Sequence, residues 1–342
     1  MKTAHLLIMR FSAMGDVAMM VPIVKTLARQ YPELRITVLS RPFAKAFFEN
    51  LSPNVSFMGA DVKNEYKHIS GLNELYRRLS AKHFTAVADF HGVLRTEYLR
   101  SRFRIDGVKV AHIDKHRKGR KKLCRFNKKE LAQQPTPFQN YADVLDKLGF
   151  HITLDKKDIP IHYAQEGQLK ASDEKWIGVA PIAAFKGKTY PLEKMKDVIV
   201  LLLQKYPSSR IYIFGAKPDE VSEVIPVQYS DSKQIINVSD VAKGFDKELQ
   251  LMNKLDVMIS MDSANMHFAS LVGLPVVSIW GQTHPYAGFM GWGQSEDNAV
   301  QIDLPCRPCS IFGNKECAYI DYPCMHNISP KLIVEKVSRI VE

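Results

Sequence analysis

Three common protein classes need features that this 342-residue chain lacks. It has no apolar run near the roughly 20 residues that cross a bilayer. Lys2 and the short LLIM stretch are not followed by a small-residue cleavage site. The start therefore reads as a first core strand rather than a signal peptide, and a cytoplasmic location is expected. Neither half carries G-x-G-x-x-G or a P-loop lysine motif, which excludes an ordinary dinucleotide dehydrogenase or P-loop NTPase. No recognised RNA-binding motif is present, so nucleic acid is not an expected partner. Cysteines number only five. Acidic residues are also short: 36 Asp and Glu stand against 47 Lys and Arg, a formal net charge of +11. Such a surplus points to an anionic partner, a phosphorylated substrate or a membrane surface.

What is present is α/β grammar in two rounds. Hydrophobic residues make up 46% of the chain, enough for ordinary cores, and the length favours two domains. In the first round, His5 to Phe11 reads as a buried strand. Val17, Met20, Val21, Val24, Leu27, Ala28 and Tyr31 then recur at helical spacing. Pro22 lies inside that pattern and predicts a kink or a late helix start. Further strands are expected at 36–40, 86–90 and 108–113, and a helix at 138–150. The second round has strands at 176–181, 211–215, 235–239, 257–262 and 276–281. Its helices fall at 195–206 and 265–273, and a last one begins at Pro330. The pattern predicts two doubly wound, Rossmann-like α/β domains facing each other across a cleft. The expected divisions are an N-terminal domain over 1–165, a C-terminal domain over 166–325 and a C-terminal helix over 326–342.

Ligands of open α/β sheets bind at the carboxyl ends of strands, so the residues after each strand are the candidates. After the first strand comes Ser12-Ala13-Met14-Gly15-Asp16. Asp16 is either a helix cap or a base that takes a proton from substrate. Residues 181–191, PIAAFKGKTYP, place Lys186 and Lys188 in a loop where a lysine can clamp phosphate. Asp219 and Glu220 follow a strand and Gly215; they suit a helix's first turn or a sugar hydroxyl. In 258–285, a strand ends at Asp262, Ser263 and Ala264 form a small-residue turn, and His267 lies in the first turns of a helix. Such a helix start attracts a pyrophosphate. The plainer alternatives are a cap at Asp262 and a core histidine at His267. A further polar turn, Gly281-Gln282-Thr283-His284, follows the next strand.

These stretches together resemble glycosyltransferase family 9, the ADP-heptose:lipopolysaccharide heptosyltransferases. The resemblance rests on GDV before a proline-bearing helix and on DSANMHFASLVGLPVVSIWGQTHP. DFHGVLRTEYL at 89–99, KTYP at 188–191 and FGAKPDE at 214–220 also match, as does the cysteine-rich tail. It spans nearly the whole chain. It implies a GT-B fold, with inverting transfer of heptose from ADP-heptose to Kdo-lipid A or its heptosylated form and no metal for catalysis. By position, Asp16 falls on the general base, and Lys188 on the lysine contacting the donor phosphates. Ser263, Ala264 and His267 fall on the pyrophosphate turn, Asp262 near the donor sugar, and Glu220 roughly on a ribose contact. Ala264 stands where many members have glycine. Another nucleotide-sugar, a protein acceptor, or a non-catalytic glycolipid-binding role are the alternatives.

Two features remain. KHRKGRKKLCRFNKK, from Lys115 to Lys129, holds nine Lys or Arg in fifteen residues. It is a solvated loop or a docking patch, and the resemblance makes it a candidate to seat an anionic glycolipid through Arg117, Lys118, Arg120, Lys121 and Lys122. That would tie the protein peripherally to the inner leaflet from the N-terminal, acceptor-side domain. Cys306, Cys309, Cys317 and Cys324 form C-x2-C-x7-C-x6-C, with Cys124 apart. Structural zinc or iron, free thiols and two disulfides are the three readings.

Overall fold

Short apolar runs separated by helices become parallel strands, because only a helical crossover returns the chain to the same end of a sheet. A computed structural model describes residues 4–126, 129–164, 170–171, 173–215 and 218–342. The chain divides into two units: the first comprises residues up to Lys115 together with Pro135–Ile161, the second His116–Gln134 together with His162–Glu342.

In chain order the first unit runs β1 (His5–Met9), α1 (Met14–Ala18), α2 (Val21–Gln30), β2 (Arg35–Ser40), α3 (Lys45–Phe48), β3 (Val55–Gly59), α4 (Ile69–Ser80), β4 (Ala86–Asp89), α5 (Leu94–Ile105) and β5 (Lys109–His112). After α6 (Arg117–Leu123), which groups with the second unit, α7 (Pro137–Lys147) completes it. The sheet is parallel throughout, in the order β3-β2-β1-β4-β5. Leu7, Met9, Val87, Leu99 and Phe103 are part of one core cluster. Pro22 acts as expected: α1 stops at Ala18, and α2 restarts with proline in its first turn, where a missing N–H costs nothing. The reading above did not include β3, a half-buried edge strand, nor α4, whose Leu72, Leu75, Tyr76 and Leu79 are buried at helical spacing.

The second unit continues with β6 (Trp176–Ala180), α8 (Leu192–Lys205), β7 (Arg210–Ile213), α9 (Pro218–Ser222), β8 (Ile235–Asn237), α10 (Val238–Val241), α11 (Phe245–Met252), β9 (Val257–Met261), α12 (Ala264–Leu271), β10 (Val276–Ile279), β11 (Ala299–Val300), α13 (Pro323–His326) and α14 (Pro330–Val341). Its six strands run β8-β7-β6-β9-β10-β11, again all parallel. That is the 3-2-1-4-5-6 order of a Rossmann sheet. No helix of the described residues is long and apolar enough to cross a membrane.

The units divide differently from the expected domains. The basic segment, expected in the N-terminal domain, belongs to the second unit. The reason is local bonding: Gln134 N–H donates to the Tyr286 carbonyl at 2.8 Å, Lys129 Nζ to the Pro305 carbonyl at 3.1 Å, and Arg120 stacks over the Phe289 ring at 4.8 Å. α14 also packs within the second unit, where Ile333 and Val337 join its core, rather than standing apart.

Candidate functional site

In each sheet the strand order reverses between two central strands, β1 and β4 in the first, β6 and β9 in the second. The crevice beyond the carboxyl ends of such a pair is where doubly wound folds hold ligands. Asp16 follows β1 at the first point, and Lys188, Asp262, Ser263 and Ala264 follow β6 and β9 at the second.

At the first, Met9 pairs in register with Asp89, so the segments after β1 and β4 emerge side by side. Asp16 is not the cap of α1. Ala13 occupies that position, and Asp16 sits in the first turn, where its Oδ2 accepts from the Ala13 N–H at 3.2 Å. The same Oδ2 lies 2.7 Å from Arg10 Nη2, and the Asp16 side chain is 27% exposed. Arg10 is buried, donates from Nη1 to the Phe90 carbonyl at 2.5 Å and lies over the Tyr141 ring at 5.8 Å. Tyr141 in turn stacks on Phe90 and donates its hydroxyl to the Asp16 main-chain carbonyl at 3.1 Å.

The Asp-Phe-His-Gly stretch explains itself here. Buried Asp89 accepts from the His91 and Gly92 N–H groups, both at 2.9 Å, and pairs with Arg100 at 3.3 Å, which fixes the turn carrying the Phe90 carbonyl. His91 Nε2 bonds with the Ser12 hydroxyl at 3.1 Å. Burial, with Arg10 and Lys115 nearby, pushes the His91 pKa down to about 3, so its ring is neutral at pH 7. Sequence reading missed Arg10. An arginine directly after a buried strand, six residues before a candidate base, was the available signal.

At the second point, Lys188 closes a single 3-10 turn, Lys186–Lys188, after β6. Its Nζ pairs with Asp262 Oδ2 at 3.1 Å, with the two side chains only 15% and 6% exposed. The loop is tied down by Tyr190, which is fully buried and donates to the Ile328 carbonyl at 2.9 Å. Gly313 has φ +72°, and a Cβ there would strike the Lys188 stem, so glycine is needed on both counts. Ser263 precedes α12 with extended backbone and makes no side-chain cap, while its hydroxyl bonds with that of Ser260 at 3.2 Å. The first N–H groups of α12 are therefore without the usual serine cap. Gly215, at φ +67°, faces Asn265 closely enough that a Cβ would come within 2.5 Å of its Nδ2. His267 ends the first turn of α12 and is buried. Glu220 lies half-buried on α9. The Asp219 side chain lies outside the described residues.

His284 caps its own turn, its Nδ1 accepting from the Tyr286 N–H at 3.0 Å. Burial and the nearby Arg307 push its pKa down to about 4, which keeps that nitrogen an acceptor at neutral pH. In the basic segment, Arg117, Lys118 and Lys121 are exposed, whereas Lys122 pairs with Glu130 at 3.2 Å and Arg120 is taken up by Phe289.

The cysteine tail departs from the metal reading. Cys306, Cys309, Cys317 and Cys324 are unpaired, as is Cys124, and no group of three or more His, Cys, Asp or Glu among the described residues is placed to hold an ion. Arg307 supplies a physical reason. Its buried guanidinium stands beside these thiols and donates to the carbonyls of Gly281, Trp280, Ile302 and Thr283 and to Gln301, all uncharged acceptors. A permanent cation at that place disfavours a second one. Burial raises the Cys309 thiol and pushes Cys324 up to about 12, and the neighbouring tail cysteines add to both shifts. The loop serves instead as packing, with the Cys309 N–H on the Gln282 carbonyl at 3.1 Å and Gly313 against Lys188.

Two doubly wound sheets with charged side chains at their switch points define an α/β protein of the GT-B type, two Rossmann-like domains. The model of glycosyltransferase family 9 (heptosyltransferase) matches residues 72–319. The chain belongs to that family. It is 24% identical over 195 residues to lipooligosaccharide heptosyltransferase 2 of Campylobacter jejuni, a match covering 54% of this chain and 58% of that protein. Its fold is similar to E. coli ADP-heptose lps heptosyltransferase II, with a TM-score of 0.69, 15% identity and 98% of each chain covered. It is also similar to E. coli heptosyltransferase WaaC with ADP, with a TM-score of 0.67, 14% identity, and 98% of this chain and 99% of that one covered.

Proposed function

We propose that this glycosyltransferase moves a heptose from ADP-heptose, with inversion, to the inner core of an anionic lipopolysaccharide-type glycolipid, Kdo-lipid A or its heptosylated form. The observation that carries the reading is the Lys188–Asp262 pair beside the uncapped start of α12. A mostly buried lysine with a helix N-terminus is a site for a diphosphate, and the incoming phosphate competes with Asp262 for the ammonium. Names of the similar proteins support ADP, heptose and lipooligosaccharide as the chemistry.

In the transfer, Asp16 accepts the proton of the acceptor hydroxyl as its oxygen bonds to the anomeric carbon. The bond from that carbon to the diphosphate breaks, and ADP leaves with the electron pair. Lys188 and the α12 N–H groups stabilise the charge that grows on it, and no cofactor enters the step. Ser263, Ala264 and His267 form the turn around the pyrophosphate, Asp262 lies near the sugar, and Glu220 serves the ribose.

The exposed Arg117, Lys118 and Lys121 dock the acceptor's phosphates and carboxylates, with Arg120 and Lys122 at the same helix. Phe126, 73% exposed beside them, supplies an apolar contact suited to a membrane interface. The enzyme thereby works peripherally at the cytoplasmic face of the inner membrane. Ligand-induced thermal shift with ADP, ADP-heptose, UDP and GDP tests the donor. Stabilisation by the adenine ligands alone, about 2.7 kcal/mol at a hundredfold excess over Kd, is expected. A shift only with UDP or GDP overturns the heptose donor.

A further inference from the structure

Burying a guanidinium is costly unless its charge is matched and its N–H groups are bonded. Arg10, 8% exposed directly after β1, pairs its charge with Asp16 and donates to the Phe90 carbonyl, while its Nε stays unbonded. The other nearby carboxylate, Asp89, is already committed to two backbone N–H groups and to Arg100. The other contacts of the Arg10 fork are with buried groups that are themselves held. The Phe90 carbonyl sits in the turn that Asp89 pins, and the Tyr141 ring beneath is buried and stacked on Phe90 at 4.5 Å.

We infer that Arg10 is a positioning residue for transfer, holding the Asp16 carboxylate ionised and oriented through Oδ2. The inference rests on the reading of Asp16 as the base. Its physical point is the protonation state of the base: a carboxylate beside a fixed cation stays ionised to lower pH, and losing that cation raises its pKa.

The groups facing the pair are consistent. Burial works against the Arg10 charge, but Asp16, Tyr141 and Asp89 outweigh it, and the Arg10 pKa is raised. His91, across the turn, is neutral because burial, Arg10 and Lys115 depress it, so it supplies no competing cation. Lys115 and Arg95 act on His91 from beyond β5 and from α5, and Arg100 is spent on Asp89.

The test is the pH profile of turnover on a de-O-acylated Kdo-lipid A acceptor. For Arg10→Gln, the acid limb moves up by about one to two pH units, and turnover at neutral pH falls on the order of 100-fold. Arg10→Lys restores the limb to within about half a unit, since it keeps the charge. A merely structural role predicts lowered turnover at every pH with the limb unmoved, and that result overturns the proposal. Should Arg10→Gln fail to fold, infrared titration of the wild type against Asp16→Asn reads the Asp16 carboxyl directly. A value at or above the ordinary aspartate range overturns the proposal with no Arg10 variant needed. Asp16→Asn also separates the two failures: if it is inactive while the limb ignores Arg10, only the positioning role falls, and if it is active, the base reading falls.

Discussion

The two sheets share the order of their first five strands and differ in what stands beyond the central pair. In the first unit a buried arginine is paired with a carboxylate that stays partly exposed, Arg10 with Asp16. In the second the pair is a mostly buried lysine and aspartate, Lys188 with Asp262, beside an uncapped helix start. The first arrangement is suited to moving a proton, because its carboxylate is reachable. On the proposed reading the second holds an anion, through Lys188 and the first N–H groups of α12. On that proposal one topology serves two chemistries, and the strand-end residues, not the sheets, decide which.

Substituting Asp16 by Asn breaks the comparison most severely on one side alone. Transfer falls about 10³-fold or more, while the ADP-induced thermal shift stays at the wild-type value. A lost ADP response would show that the two units do not divide the chemistry this way. On the other side, Lys188→Ala lowers turnover on the order of 10²- to 10³-fold. Unlike the Asp16 variant, it also weakens the ADP shift. Asp262→Asn in that background recovers thermal stability by relieving the unpaired buried charge, which a scan of both variants checks.

Replacing Arg117, Lys118, Lys121 and Lys122 by Gln asks whether the anion preference of the second unit extends to its surface. Each exposed cation near an anionic surface contributes about 1 kcal/mol. The KM for lipid acceptor therefore rises tenfold or more, an order-of-magnitude expectation from the same rule, and the donor KM stays put. Equal rises in both would refute docking by this segment. The smallest effect sharpens the first unit. His91 has a folded pKa of about 3 against an ordinary 6.5. The native state thus holds it neutral, and the unfolded state takes the proton between those values. Its contribution to stability is whole above pH 6.5 and is lost as pH falls toward 3, by about 2 kcal/mol at pH 5. Denaturation of wild type and His91→Gln at pH 7 and pH 5 reads this: the variant's pH dependence is flatter.

Much of the scaffold could be read from the chain. β1, β2, β4 and β5 appear within a residue or two of the apolar runs, as do β6, β7, β9 and β10; for the central strands this is because a strand buried on both faces has to be continuously apolar. Pro22 marked the break between α1 and α2. β3 was harder, since this edge strand is nowhere fully buried and its Ser56 and Gly59 dilute the signal. Among site residues, Asp16, Lys188, Asp262 and the α12 turn were legible as polar side chains at strand ends. Their partners were not. Nothing local joins Arg10 to the Phe90 carbonyl or Lys188 to Asp262, since those contacts depend on which strands lie side by side.

The sequence by itself determined the two rounds of β and α elements, the family resemblance and the strand ends on which charge stands. Those follow from periodicity and residue type, which are local. Only the tertiary structure decided that Asp16 shares its charge with Arg10 and that Lys188 rests on Asp262. It also decided that the basic segment joins the second unit, and that the cysteine loop packs around Arg307. Each of these is a contact between distant segments, made when parallel strands align in register and bring their carboxyl ends together.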